Sequence, residues 1–310
     1  MTLLRLKSGT SMRNALEASQ KKRLQKLYLD AAQESKRRLQ FYANQSSATA
    51  YLQTLRLNQL SAELDRVYYN LYSNTEPELK QEMNAMSKAV LKDMSQFYSS
   101  IGLKFGVKYA NVPEEVVDSI ALGKVYEGNW SLSKAIWGDY NAVRNDIQTI
   151  IAKGVALNKS TLDIAKDLEQ YVDPTARKPW DWGKVYPGVR TKIDYNAQRL
   201  ARTMVSHAYE QSLVLAAEKN PFVQGIKWLA SNSDRTCELC HERSERDGYG
   251  LGAGVFPIDE LPLDHPNGMC TYSVVLIGSL QDISKRLSRW VAGEPDEKLD
   301  EYYRKGFISV

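Results

Sequence analysis

For most of this chain the hydrophobic positions recur at three- and four-residue spacing, the period of a helix face packed on a core. From about Ser11 to Tyr98 the pattern predicts helix after helix. Leu52, Leu55, Leu60, Leu64, Val67, Tyr68 and Leu71 form one apolar stripe, and Leu79, Met83, Met86, Val90, Met94 and Phe97 a second. The methionines read as core filler, since an unbranched thioether fits irregular gaps. Between the stripes, Ser73-Asn74-Thr75-Glu76-Pro77-Glu78 predicts a break and a restart, with Thr75 and Glu78 as a capping box and Pro77 in the first turn. After a loop with Gly102, Gly106 and Pro113, a short helix is expected over residues 113–122. Tyr126-Glu127-Gly128-Asn129-Trp130 reads as a turn, and Ser131 as the cap of a helix carrying Ile136, Tyr140, Val143, Ile147 and Ile150. Ser160 opens another helix through Tyr171. Residues 173–188 place Trp180, Trp182 and Tyr186 among three prolines with no period, which predicts a loop. A strong helix from about Lys192 to Lys219 carries Ala197, Leu200, Ala201, Met204, Ala208 and Leu215 on one face and ends at Asn220-Pro221.

Only beyond Pro221 does the period change. Val223–Ala230 and Thr271–Ile277 read as strands, and the tail returns to helix over Leu280–Val291 and Pro295–Lys305. The expected fold is therefore mainly α, with helical N-terminal and middle regions and a small C-terminal α+β module. The expected segments are a basic helical arm and helical region over 1–110, a helical core over 111–220, a two-stranded metal-binding module over 221–278 and C-terminal helices over 279–310.

Composition adds little until charge is mapped. No apolar run approaches the roughly 18 residues of a membrane span, and Met1-Thr2-Leu3-Leu4-Arg5-Leu6-Lys7 lacks the apolar core of a signal peptide, so synthesis in a cytoplasm is expected. The net charge of +4 is uneven: residues 1–60 carry eleven Lys/Arg against Glu17, Asp30 and Glu34, a net +8, leaving −4 for the other 250. Such an arm suits a polyanion, or is simply a solvated helix face.

All three cysteines fall between positions 237 and 270, together with His241 and His265. An odd, clustered count without a secretion signal argues against a disulfide framework and for a metal. Cys237-Glu238-Leu239-Cys240 is a knuckle whose spacing aims two thiolates at one ion, and His265 and Cys270 add two ligands at H-x4-C spacing. Three Cys and one His make a closed tetrahedral set, the structural type of zinc site; a catalytic zinc keeps a position for water. A metal there joins the ends of a loop containing Gly248, Gly250, Gly252 and Gly254, too rich in glycine to order itself. The plainer reading is two reduced surface thiols beside an unrelated histidine, and His241 is an alternative to His265. Cys237–His241 also spells the haem-attachment pattern, which leaves His265 and Cys270 unexplained.

Enzymatic signals are weak. The glycine run lacks the setting of a phosphate loop, and no serine sits in a G-x-S-x-G context. Asp163, Asp167 and Glu169 scatter over a helix surface. Arg202, Thr203, Ser206, His207 and Glu210 lie close along the long helix, but a lone helical histidine usually packs or is solvated. A CxxC upstream of Asp264-His265 is also similar to HNH nucleases, where that pair would hold a metal and act as base. No enzyme is expected, with a zinc-stabilised nuclease as the alternative.

Trp228, Asp234-Arg235-Thr236-Cys237-x-x-Cys240, Phe256-Pro257 and His265-Pro266-Asn267-Gly268-Met269-Cys270 resemble the C-terminal signature of phage minor head proteins, the head-morphogenesis family related to protein F of phage Mu. Tyr126-Glu127-Gly128 with Leu132-Ser133 and Ile136-Trp137, and Ser160 with Ile164-Ala165 and Leu168, resemble its helical middle, so the likeness covers about residues 125–278. Arg202-Thr203 stands where such proteins carry Arg-Thr-Glu, but Met204 replaces the Glu, and Gly268-Met269 stands where many have Cys-Arg. The resemblance implies a low-copy component of the virion, in the capsid interior and associated with the portal protein, acting in head morphogenesis and DNA passage. With it go structural zinc on Cys237, Cys240, His265 and Cys270, and a cytoplasmic site of synthesis in the host. Packaged double-stranded DNA would be met non-specifically by Lys21, Lys22, Arg23, Lys26, Lys36, Arg37 and Arg38, binding that weakens steeply with salt.

Overall fold

The helical period of the first hundred residues closes into two long helices, α1 (Lys7–Ala43) and α2 (Ala50–Ser100). The computed structural model describes residues 2–5, 7–43, 50–128, 130–231 and 236–310; Met1, Leu6, Asn129, Asp234 and Arg235, and the side chains of Arg5 and Leu52, all used in the sequence reading, lie outside it. The break expected at residues 73–78 does not occur. α2 runs through Pro77, because the buried rhythm of Leu60, Leu64, Tyr68 and Leu71 continues through Thr75 into Leu79, Met83, Met86 and Val90. Thr75 is 6% exposed, and its hydroxyl donates to the Leu71 carbonyl at 3.0 Å instead of capping a new helix. Pro77 sits on the exposed side, where the missing N–H is tolerated most easily. Leu55, expected in the stripe, is exposed and Leu57 is buried in its place.

The middle helices follow their caps. α3 is Val112–Ala121; α4 (Leu132–Ala156) starts at Ser131, whose hydroxyl accepts from the Lys134 amide at 3.3 Å; α5 (Thr161–Val172) starts at Ser160 in the same way. The proline-punctuated stretch holds one short turn, α6 (Trp182–Val185), and α7 spans Tyr195–Glu218. After it come α8 (Glu238–Glu245), α9 (Leu280–Val291), opened by a Ser279–Asp282 capping box, and α10 (Glu297–Arg304).

The sheet is larger than the two strands expected. β1 (Thr2–Arg5), β3 (Val223–Leu229), β4 (Val255–Phe256) and β5 (Thr271–Leu276) form one antiparallel sheet in the order β1-β5-β3-β4, and β2 (Lys104–Phe105) pairs separately with β6 (Ile308–Ser309). Only β3 and β5 are long enough to show a pattern; β4 has two residues, and β1 has four directly before a helix. β1 pairs Thr2 with Leu276 and Leu4 with Val274, so the start of the chain is an edge of the C-terminal sheet. Among the described residues the chain is thus mainly α, ten α-helices with a small C-terminal α+β module.

Two compact units emerge, each from stretches that are not consecutive, where the sequence reading cut the chain into four consecutive segments. One comprises residues 18–78 and 130–201. Its core of Leu60, Leu64, Tyr68, Ile136, Val143, Ile147, Ile164 and Leu168 surrounds paired polar groups. Arg190 bridges Asp139 at 2.5 Å and Asp146 at 2.7 Å, while the Tyr72 hydroxyl donates to Asp139 and the Tyr171 hydroxyl to Asp146. The buried charges of this cluster are matched by opposite charge and hydrogen bonds, which offsets the cost of removing them from water. The other unit, residues 1–17, 79–129 and 202–310, contains both sheets and the cysteine cluster.

Candidate metal centre

The knuckle is the start of a helix. Cys237 is the N-cap of α8, and the amides of Cys240 and His241 both donate to its carbonyl at 3.1 Å, which brings Cys240 round by one turn toward Cys237. The glycine-rich loop behind it is held by backbone bonds: the Gly254 amide donates to the Arg246 carbonyl, and the Gly254 carbonyl accepts from Trp228. A Cβ on Gly254 would lie 2.5 Å from the Ser244 carbonyl oxygen, and its φ is +70°, so glycine is needed there on both counts.

The second pair of ligands rides on a tight loop entering β5. Asp264, 4% exposed, organises it: its carboxylate accepts from the His265 amide at 2.8 Å and the Cys270 amide at 3.3 Å. The chain turns through Asn267 at φ +67°. At Gly268 a Cβ would meet all three carboxylate atoms of Asp264 within 2.4 Å. His265 Nδ1 donates to the Pro266 carbonyl at 3.1 Å, which leaves the Nε2 lone pair facing Cys237 Sγ at 3.5 Å. That is the tautomer a metal-ligating histidine needs.

The potential ligand atoms converge. Those of Cys237, Cys240 and His265 lie within 4.8 Å of one another, and Cys240 belongs equally to a second such group with Asp264 and Cys270. All four residues expected as ligands therefore meet in one cluster that could hold a metal ion. His241, the other candidate, is exposed on α8 and outside it. Cys237, Cys240, His265 and Cys270 all line one cleft of about 260 Å³, shared with Arg202 and Met269, with Cys240 and Cys270 at its buried side.

Electrostatics fit the arrival of a cation. Burial above all pushes the Cys240 and Cys270 thiols up, and the Asp264 carboxylate adds to both. The Cys240 backbone amide, chiefly, pulls the exposed Cys237 thiol below its ordinary value. Burial pushes His265 down, but the Pro266 carbonyl, Asp264 and Cys237 together outweigh it and raise it. Two buried thiols beside a buried carboxylate form a pocket short of positive charge, and a divalent ion supplies it while stabilising the thiolates.

Beneath the loop lies the helix face that sequence reasoning passed over. Arg202 donates to the Asn267 side chain at 2.5 Å, Thr203 Oγ1 accepts from the Asn267 amide at 2.9 Å, and the Ser206 hydroxyl donates to the Gly268 carbonyl at 3.2 Å. His207 Nε2 donates to the Asp264 carbonyl at 3.0 Å, with its Nδ1 accepting from Tyr126 at 2.8 Å, and Glu210 Oε2 accepts from the Asp264 amide at 3.0 Å and Tyr272 at 2.9 Å. Burial keeps His207 below its ordinary value, so it is neutral, and raises Glu210 to about 8. All five α7 side chains thus clamp residues 264–268. The signal was their helical spacing; their partners, mostly backbone atoms more than fifty residues away, have no sequence signature. Met204, which replaces the acidic residue of the resembled family, is fully buried under Tyr126.

The seven basic residues expected to meet phosphates are all exposed on α1. Lys36 pairs with Glu169 at 2.5 Å, Arg37 with Glu34 at 3.2 Å, and Arg38 with Glu34 at 2.6 Å and Glu63 at 3.4 Å. Lys21, Lys22, Arg23 and Lys26 form the other group, nearer the middle of α1. No protein-family model, curated protein or solved structure matches the chain.

Proposed function

We propose that Cys237, Cys240, His265 and Cys270 hold one structural zinc ion, and that the chain is a phage minor head protein. In this reading it is associated with the portal inside the capsid and acts in head morphogenesis and DNA delivery. The observation that carries it is the convergence of the four Cys and His residues of the minor-head signature into one cluster. Three sulfurs and one imidazole are the donors zinc prefers for closed tetrahedral sites, and the ion would supply positive charge and a cross-link between α8 and β5. The anchoring of residues 264–268 by five side chains supports a structural role, since a ligand loop held this firmly is preorganised for binding.

The nuclease alternative gains nothing from the geometry. Both Asp264 oxygens accept backbone amides and His265 Nε2 faces a sulfur, so neither group is offered to a phosphodiester. The test has two arms. Zinc-quantified protein is titrated with plasmid DNA plus Mg2+ or Mn2+ over a range of salt: intact plasmid with salt-sensitive binding is expected, and cleavage lost in a folded His265→Ala variant overturns the reading. In purified particles the protein is expected at low copy near the portal vertex; a protein found only outside particles is no minor head protein.

A further inference from the structure

The metal loop is gripped from a second side, by the beginning of the chain. Arg13 on α1 is 3% exposed, and its guanidinium donates to the Cys270 carbonyl at 2.5 Å and the Met269 carbonyl at 3.4 Å while lying 5.4 Å from the centre of the Tyr209 ring. One of these carbonyls belongs to a ligand residue and the other to its neighbour. The segment bearing Arg13 is fixed along its length. β1 pairs with β5, which starts at the residue after Cys270, and the Ser8 and Gly9 amides donate to the Asp93 carboxylate at 3.0 and 2.8 Å. A Cβ on Gly9 would lie 2.9 Å from the Tyr209 ring, so α1 is packed as close as glycine allows.

We infer that Arg13 is a positioning residue for the metal centre, and that metal binding and docking of residues 2–17 are coupled through it. The inference rests on the zinc reading above. A guanidinium fork holds two carbonyls in fixed relative orientation, and Cys270 between them has its amide held by Asp264. Its sulfur is therefore oriented from both peptide groups. Coupling is reciprocal: if a docked Arg13 favours the metal, the bound metal favours docking.

The experiment is a chelator competition on the full chain loaded with Zn2+, comparing wild type with Arg13→Lys and Arg13→Ala, alongside Co2+ spectra of each. The lysine variant keeps the charge but loses the fork, and is the milder change should Ala fail to fold. Zinc affinity is expected to fall about 10- to 100-fold, the scale seen for partners that orient metal ligands, with altered Co2+ d–d bands. A merely structural Arg13 would lower stability equally with and without metal and leave the competition curve in place. Hydrogen exchange on wild type gives the reciprocal reading: amides of residues 2–17 should exchange faster after zinc is stripped. Coincident competition curves for proteins that all bind one zinc, or unchanged exchange, overturn the coupling alone. A wild type that takes up no metal overturns the zinc reading and the coupling with it.

Discussion

Gly268 and Glu210 decide whether the ligand loop can close, and each exposes the logic of the site to a single substitution. A methyl group at residue 268 would stand within 2.4 Å of the Asp264 carboxylate, which is itself held by two amides. Gly268→Ala is therefore expected to displace Asp264 and weaken zinc binding by at least tenfold in a chelator competition, the scale for losing a partner that orients a ligand. Glu210 is 1% exposed, and its native pKa of about 8 lies above the ordinary 4.5, chiefly through burial. The native state thus keeps a proton that the unfolded chain releases. This contribution is complete below about pH 4.5 and is lost as pH rises through about 8. Glu210→Gln keeps the shape without the titration, so the decline of its denaturation midpoint between pH 5 and roughly 8.5 should be shallower than in wild type. Equal slopes would show that Glu210 does not carry the proton. The four metal candidates were legible because ligand spacing is local and chemically restrictive. The clamp on α7 was not, because a serine or histidine bonding a distant carbonyl looks like any half-polar helix face.

At the scale of elements, the continuous helix α2 is the clearest departure from expectation. Ser-Asn-Thr-Glu-Pro has every local mark of a helix start, yet Thr75 keeps the buried stripe in phase across it. Tertiary packing overrides local preference here, as it commonly does. Proline inside a helix costs up to about 3 kcal/mol, so Pro77→Ala should stabilise the protein by about 1–3 kcal/mol in denaturant titrations; no gain would mean the helix breaks there after all. The caps at Ser131 and Ser160 were readable because the capping residue and its amide lie three residues apart. β1 was not, since its partner is at the other end of the sequence. The basic face of α1 divides by the same kind of long-range fact. Lys36, Arg37 and Arg38 already face carboxylates, so neutralising Lys21, Lys22 and Lys26 should reduce DNA affinity and its salt slope more than neutralising those three. Equal losses, measured by fluorescence anisotropy with duplex DNA, would remove that distinction.

For the whole molecule, the Cys/His cluster and the N-terminal strand belong to the same unit, and on the proposed zinc reading stripping the metal should be felt throughout it. A ligand that binds only the folded state stabilises by mass action, so chelation is expected to lower the melting midpoint by several degrees and make it depend on zinc concentration. A midpoint indifferent to chelator, in protein shown to have lost its metal, would assign the stability of this unit to its apolar core alone. The pairing of β1 with β5 also sets a timetable. Leu276 leaves the ribosome about 270 residues after Thr2, which at roughly 5–20 residues per second is some 14–55 s of synthesis. Throughout that interval the first strand has no hydrogen-bonding partner within its sheet, and neighbouring nascent chains carry the same apolar Leu3-Leu4 edge. A strand that must wait about 270 residues for its partner is exposed to mispairing in proportion to how slowly the intervening chain is translated.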